Sequence, residues 1–158
     1  MASTVFWSHE ARFPACPVSA CEARAFVDLH LTEHGLVSLV DDIRLVVSEL
    51  VTNALVHART PLTVNIKELL FCVMLTVHDD SPDLPVVLLA QMGDVGGRGL
   101  DLVGRCSSDW GVSLGVENDK SVWATFAVPP MRSRLDRSDP ACAGAAVVPD
   151  RGGGPSGG

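Results

Sequence analysis

The stretch Leu45-Val46-Val47-Ser48-Glu49-Leu50-Val51-Thr52-Asn53-Ala54-Leu55-Val56-His57 constrains the fold more than any other part of the chain. Val46, Val47, Leu50, Val51, Ala54 and Leu55 recur at the spacing of a helix that buries one stripe. Glu49, Asn53 and His57 stand four residues apart, so each lies about 40° further round and one turn along. A carboxylate, an amide and an imidazole therefore form a row along one edge of a mostly buried helix. Such a row reads either as an ordinary i,i+4 solvent face or as a line of ligand-facing groups.

A chain of 158 residues has room for one hydrophobic core and a tail. The net charge, 12 − 19 = −7, argues against nucleic acid as a direct partner. Cys16, Cys21, Cys72, Cys106 and Cys142 are odd in number and form no C-x-x-C pair, which speaks against a disulfide framework or a zinc site. Cys72 lies in an apolar run and reads as a small buried hydrophobe. The start of the chain has no apolar signal core, and no run reaches the roughly 18 apolar residues of a membrane span. A cytoplasmic location is the expectation.

In order along the chain, residues 1–12 lack period and read as a flexible lead-in, and Phe13-Pro14 with Cys16-Pro17 as an extended or edge segment. Ser19-Ala20-Cys21-Glu22 has the form of a capping box, which predicts a helix start there and a stop at Gly35. Its apolar positions are Ala23, Phe26, Val27, Leu29 and Leu31; His30 and His34, four apart without a third ligand, read as exposed histidines. Ser38-Leu39-Val40-Asp41 predicts a second helix start, running to about Ala58. Residues 62–68 and 71–78 predict a hairpin, and Asp79-Asp80-Ser81-Pro82-Asp83 a turn. Residues 84–92 are apolar and long enough for a short helix; Gly96-Gly97-Arg98-Gly99 then feeds a helix to Ser107, an arrangement suited to an anion. Residues 109–117 and 121–128 predict two further strands around a turn at 117–120. Residues 131–158, ending in Arg-Gly-Gly-Gly-Pro-Ser-Gly-Gly, read as a disordered tail. This order gives an α/β sandwich with a mostly antiparallel or mixed sheet and helices on one face.

The segment Glu49-Leu50-Val51-Thr52-Asn53-Ala54-Leu55-Val56-His57 resembles the E-x-x-x-N-A-x-x-H box of the GHKL ATPase superfamily. That superfamily includes sensor histidine kinases, type II topoisomerases, heat-shock chaperone ATPases and anti-sigma-factor serine kinases. The wording Leu45 to Ala54 looks most like the last group in its small stand-alone form. Three further motifs follow in the family's order: Asp79-Asp80-Ser81-Pro82-Asp83 for D-x-G-x-G, Gly97-Arg98-Gly99-Leu100 for G-x-G-L, and Lys120-Ser121 for a G-T pair. The resemblance covers residues 13–130 and implies the Bergerat-type ATP-binding fold.

It also implies roles. Asn53 would hold Mg²⁺, a metal that prefers hard oxygen ligands with few from the protein. Glu49 would be the general base that activates a serine hydroxyl, and His57 would stand at the pocket rim. Asp79 would accept from the adenine amino group with Ser81 beside it. Gly97, Arg98, Gly99 and Leu100 would border the phosphates, and Ser121 would keep the hydroxyl of the G-T pair. Residues 82–97 correspond to an ATP lid, apolar here at Val86, Val87, Leu88 and Leu89, and suited either to cover adenine or to meet a partner. Trp110 and Trp123 read as sheet-packing residues. The expectation is a domain without a phosphoacceptor-histidine helix before it or a transducer or chaperone module after it. The implied function is an ATP- and Mg²⁺-dependent serine/threonine kinase that phosphorylates an anti-sigma-factor antagonist and sequesters a sigma factor, with a homodimer admitted. The substitutions at Ser81, Asp83 and Lys120 leave open a non-catalytic interaction module acting on transcription through protein contacts.

Overall fold

A computed structural model describes residues 3–81, 98–117 and 119–128, with only the backbone described for 98–100. The chain divides into Met1–Val128 and Pro129–Gly158, and the described residues belong to the first unit. The apolar stretch 82–97, with Gly97 and the expected short helix, and the tail 131–158 lie outside the described residues.

Strand β1 (Val5–Phe13) precedes helix α1 (Val18–Glu33), a 3-10 turn (Val37–Leu39) and helix α2 (Val40–His57). The hairpin β2 (Leu62–Leu69) and β3 (Cys72–Asp79) follows, then α3 (Arg98–Cys106), β4 (Asp109–Leu114) and β5 (Lys120–Ala127). The sheet order is β1-β2-β3-β5-β4 and every neighbouring pair is antiparallel. The α/β sandwich expected from the element order is the fold observed.

Period-2 alternation decides which residues reach the helices. Leu62, Val64 and Ile66 on β2, Val73, Leu75 and Val77 on β3, and Ala124 and Phe126 on β5 are buried. They meet Ala23, Val27 and Leu31 of α1, Ile43, Val46, Val47, Leu50, Val51 and Ala54 of α2, and Val103 of α3 in one core. Each such valine, leucine or isoleucine stabilises the fold by about 1.5–3 kcal/mol relative to exposure. Asp41 and Asp42 lie in the first turn of α2, where the helix dipole favours negative charge.

Several expectations need correction. Residues 5–12 are not a lead-in but most of an edge strand, in which Trp7, His9, Ala11 and Phe13 face inward opposite Glu68, Ile66, Val64 and Leu62. A histidine in the alternating set obscures the period. Ser19 does not cap α1: the helix begins at Val18 after Pro17, and the Ser19 hydroxyl donates to the Pro14 carbonyl at 2.8 Å. Likewise Ser38 sits inside the 3-10 turn, and Leu39 precedes α2 without a side-chain cap. Leu29 is 54% exposed rather than part of the core face. Cys72 is half-buried on the sheet face away from the helices, and partial burial pushes its thiol pKa up.

The stop at Gly35 is a full Schellman motif. Gly35 takes φ 69°, its N–H bonds the Thr32 carbonyl at 3.0 Å, and the Leu36 N–H bonds that of Leu31 at 2.7 Å. His30 and His34 are not exposed; they stack between β1 and α1. The His9 ring lies 3.7 Å from that of His30, Trp7 lies 4.1 Å from His34, and Nε2 of His9 meets Nε2 of His34 at 2.9 Å. The Trp7 indole donates to the buried Glu68 carboxylate at 2.5 Å.

Candidate functional site

Helix α2 crosses the sheet so that its Leu50–Asn53–Ala54–His57 edge looks toward the ends of β3, β4 and β5. Between them lies a cavity open to solvent and lined by Leu50, Asn53, Ala54, His57, Val77, Asp79, Val112, Lys120 and Val122. Its walls are mostly apolar with a few polar groups, the make-up of a small-molecule site.

Asn53 is half-buried in the wall, with no side-chain hydrogen bond among the described residues. His57, one turn on, is exposed and stands at the mouth. Glu49, one turn before Asn53, is half-buried on the same helix edge but beyond the cavity lining. Asp79 is the last residue of β3 and falls on its buried parity, only 2% exposed. Its Oδ1 accepts the Ser81 backbone N–H at 3.0 Å, an Asx-type turn that fixes the carboxylate. Ser81 is therefore beside the pocket as a support for Asp79 and is itself buried.

The β5 register separates the expected pair. Lys120 is the partner of Asp79 across β3 and β5, while Ser121 is the partner of His78. Lys120 thus faces the cavity, 3% exposed, with Nζ 3.4 Å from Asp79 Oδ2. Ser121 lies on the opposite sheet face, where its hydroxyl meets His78 Nδ1 at 3.0 Å. The structure does not bring Ser121 to the pocket. Arg98, Gly99 and Leu100 form the first turn of α3, and Gly97 lies outside the described residues.

Residues 38–133 match the histidine kinase-, DNA gyrase B- and HSP90-like ATPases. The chain belongs to this family. No curated protein matches it. The matched span begins before α2 and ends beyond β5, and so contains the whole cavity. Membership makes this an ATP-binding domain, with Mg²⁺ the usual companion of the nucleotide in this family, and the cavity lies within the matched span. Its donor set fits that metal: a neutral amide oxygen at Asn53, unengaged by described neighbours, suits a hard cation that keeps most of its ligands from phosphate and water. Among the described residues no group of three or more His, Cys, Asp or Glu side chains could hold a metal unaided.

Val77, Val112 and Val122 are pocket residues of this ATPase domain that the sequence motifs did not single out, and Lys120 entered them only in place of the motif glycine. Strand alternation could have found them: with Asp79 facing inward, Val77 must follow, and its cross-strand partner Val122 with it. No helix of the described residues is long and apolar enough to cross a membrane.

Proposed function

We propose that this ATPase-family domain is a protein serine/threonine kinase of the anti-sigma-factor type. The observation that carries the reading is the meeting of Asn53 from α2 and Asp79 from β3 on one cavity, with Glu49 a single turn from Asn53. In that reading Asp79 accepts from the adenine amino group and Asn53 gives its amide oxygen to Mg²⁺. When bound, the metal neutralises charge on the phosphates. Glu49, without an ion-pair partner among the described residues, takes the proton of the incoming serine hydroxyl as that oxygen bonds to the γ-phosphorus, the bond from that phosphorus to the β,γ-bridging oxygen breaks and ADP leaves. The acceptor is a serine on an antagonist protein, and the regulated partner is a sigma factor, in the cytoplasm.

Calorimetric titration with ATP, with and without Mg²⁺, tests the pocket, and transfer of labelled γ-phosphate to the acceptor protein tests the chemistry. Asn53→Ala is expected to remove Mg²⁺-dependent binding. Glu49→Gln is expected to keep binding and lower transfer at least a hundredfold, the order of general-base catalysis. Unchanged transfer in Glu49→Gln excludes it as the base.

A second reading, a non-catalytic interaction module, is favoured by one observation: Lys120 already pairs with the Asp79 carboxylate. Wild-type protein that binds no nucleotide would establish it.

A further inference from the structure

Lysine is among the residues least often buried, and Lys120 is buried on the wall of a ligand cavity. Its ammonium lies 3.4 Å from Asp79 Oδ2, and Asp79 Oδ1 is engaged by the Ser81 N–H at 3.0 Å. The end of the pocket therefore presents one carboxylate oxygen as acceptor and, directly beside it, an ammonium as donor. Both are set by the sheet, because Asp79 and Lys120 are cross-strand partners. Resting on the assignment of this cavity to ATP, we propose that Lys120 is a base-reading residue: it donates to N1 of the adenine ring while Asp79 accepts from the adjacent 6-amino group.

The Watson–Crick edge of adenine carries a donor, the 6-amino group, next to an acceptor, N1. The Asp79–Lys120 pair is its complement, acceptor next to donor. Guanine offers an acceptor at O6 and then two donors, N1–H and the 2-amino group, which ask for two carboxylate oxygens. Asp79 already gives Oδ1 to Ser81, so guanine is the poorer fit. An ammonium has three N–H groups, so Lys120 can keep its bond to Asp79 while giving another to the base. The ion pair holds both charges in place before the ligand arrives, which is the condition under which a buried charge is tolerated. Lys120 thus adds a second point of base recognition instead of closing the pocket.

The test compares Mg–ATP with Mg–1-deaza-ATP, in which a C–H replaces N1 and the 6-amino group remains, by calorimetry on the full-length chain. A hydrogen bond from a charged donor predicts roughly ten- to hundredfold weaker binding of the deaza analogue by wild type. GTP is expected to bind more weakly than ATP. Lys120→Met is expected to bind ATP and the analogue alike. Equal affinity of wild type for ATP and 1-deaza-ATP overturns the role of Lys120 and leaves the ATP site standing. Wild type that binds neither overturns the ATP reading and the base-reading role together. The first comparison needs no variant, so the outcome does not depend on how well Lys120→Met folds.

Discussion

Asp79 and Lys120 place two opposite charges in a region 2% and 3% exposed, with a 3.4 Å separation, and this makes a stability prediction independent of any ligand. Asp79→Asn removes the carboxylate 3.4 Å from the buried Lys120 ammonium, and Lys120→Met removes the ammonium beside the buried Asp79 carboxylate. Breaking a buried pair from one side costs about 3–5 kcal/mol, because the remaining charge keeps its desolvation penalty without its partner. The double variant Asp79→Asn/Lys120→Met removes both members of the pair, and such a replacement is often close to neutral. The double variant should therefore be more stable than either single one, with a coupling energy of at least about 2 kcal/mol. Urea unfolding followed by tryptophan fluorescence reads all four proteins, since Trp7 and Trp110 pack against the core. Single variants that each lose less than about 1 kcal/mol and add within about 0.5 kcal/mol would refute the reasoning. They would mean that water in the open cavity already solvates both charges.

Two further predictions concern the other end of the fold. Burial, followed by the mutual repulsion of the rings, lowers the pKa of His9, with His30 beside it, and of His34, with His9 and His30 beside it; Glu33 on His9, and Glu68 and Glu33 on His34, oppose this only in part. A histidine whose pKa falls on folding contributes stability that is full above its unfolded value of about 6.5 and is lost as pH falls through the folded value. Stability should decline on acidification below about pH 6.5, and His9→Gln/His34→Gln should flatten that decline in urea titrations at a series of pH values. Gly35→Ala puts a Cβ on a residue at φ 69° and should cost about 1–2 kcal/mol, read as a lowered Tm with an unchanged far-UV spectrum.

The helices and the central hairpin were legible because their apolar residues carry the period of the element. In α2 the expected stripe of Val46, Val47, Leu50, Val51, Ala54 and Leu55 is buried except for Leu55, which is half-buried, and the helix end lies within one residue of the expected Ala58. What was not legible was decided by contacts distant in sequence. Nothing local tells Trp7 and His9 to form a strand; the edge of β2 and the rings of His30 and His34 do. Ser19 had the sequence of a cap, but Pro14 and Pro17 fold the preceding turn so that its hydroxyl meets the Pro14 carbonyl instead. A short pattern states which bonds a residue can make, and the chain around it chooses among them.

The same rule separates Ser121 from Lys120. A motif match shifts by one residue without changing its look, whereas on a strand a shift of one residue moves a side chain to the other face. Asp79 fixes the parity: its partner on β5 shares the cavity, and that partner is Lys120. Ser121 is then bound to the outer face, where His78 takes its hydroxyl. Asn53 and His57 escaped this ambiguity because residues four apart on a helix stay on one edge whichever way the boundary falls. Glu49 shares that edge yet lies beyond the cavity lining, so its part in the chemistry depends on where the γ-phosphate comes to rest. On the proposed reading, that position would be set jointly by Asn53 and by base contacts at Asp79 and Lys120. Strengthening or weakening the grip on the base should therefore alter transfer as well as affinity, because a base shifted along the cavity carries its triphosphate with it.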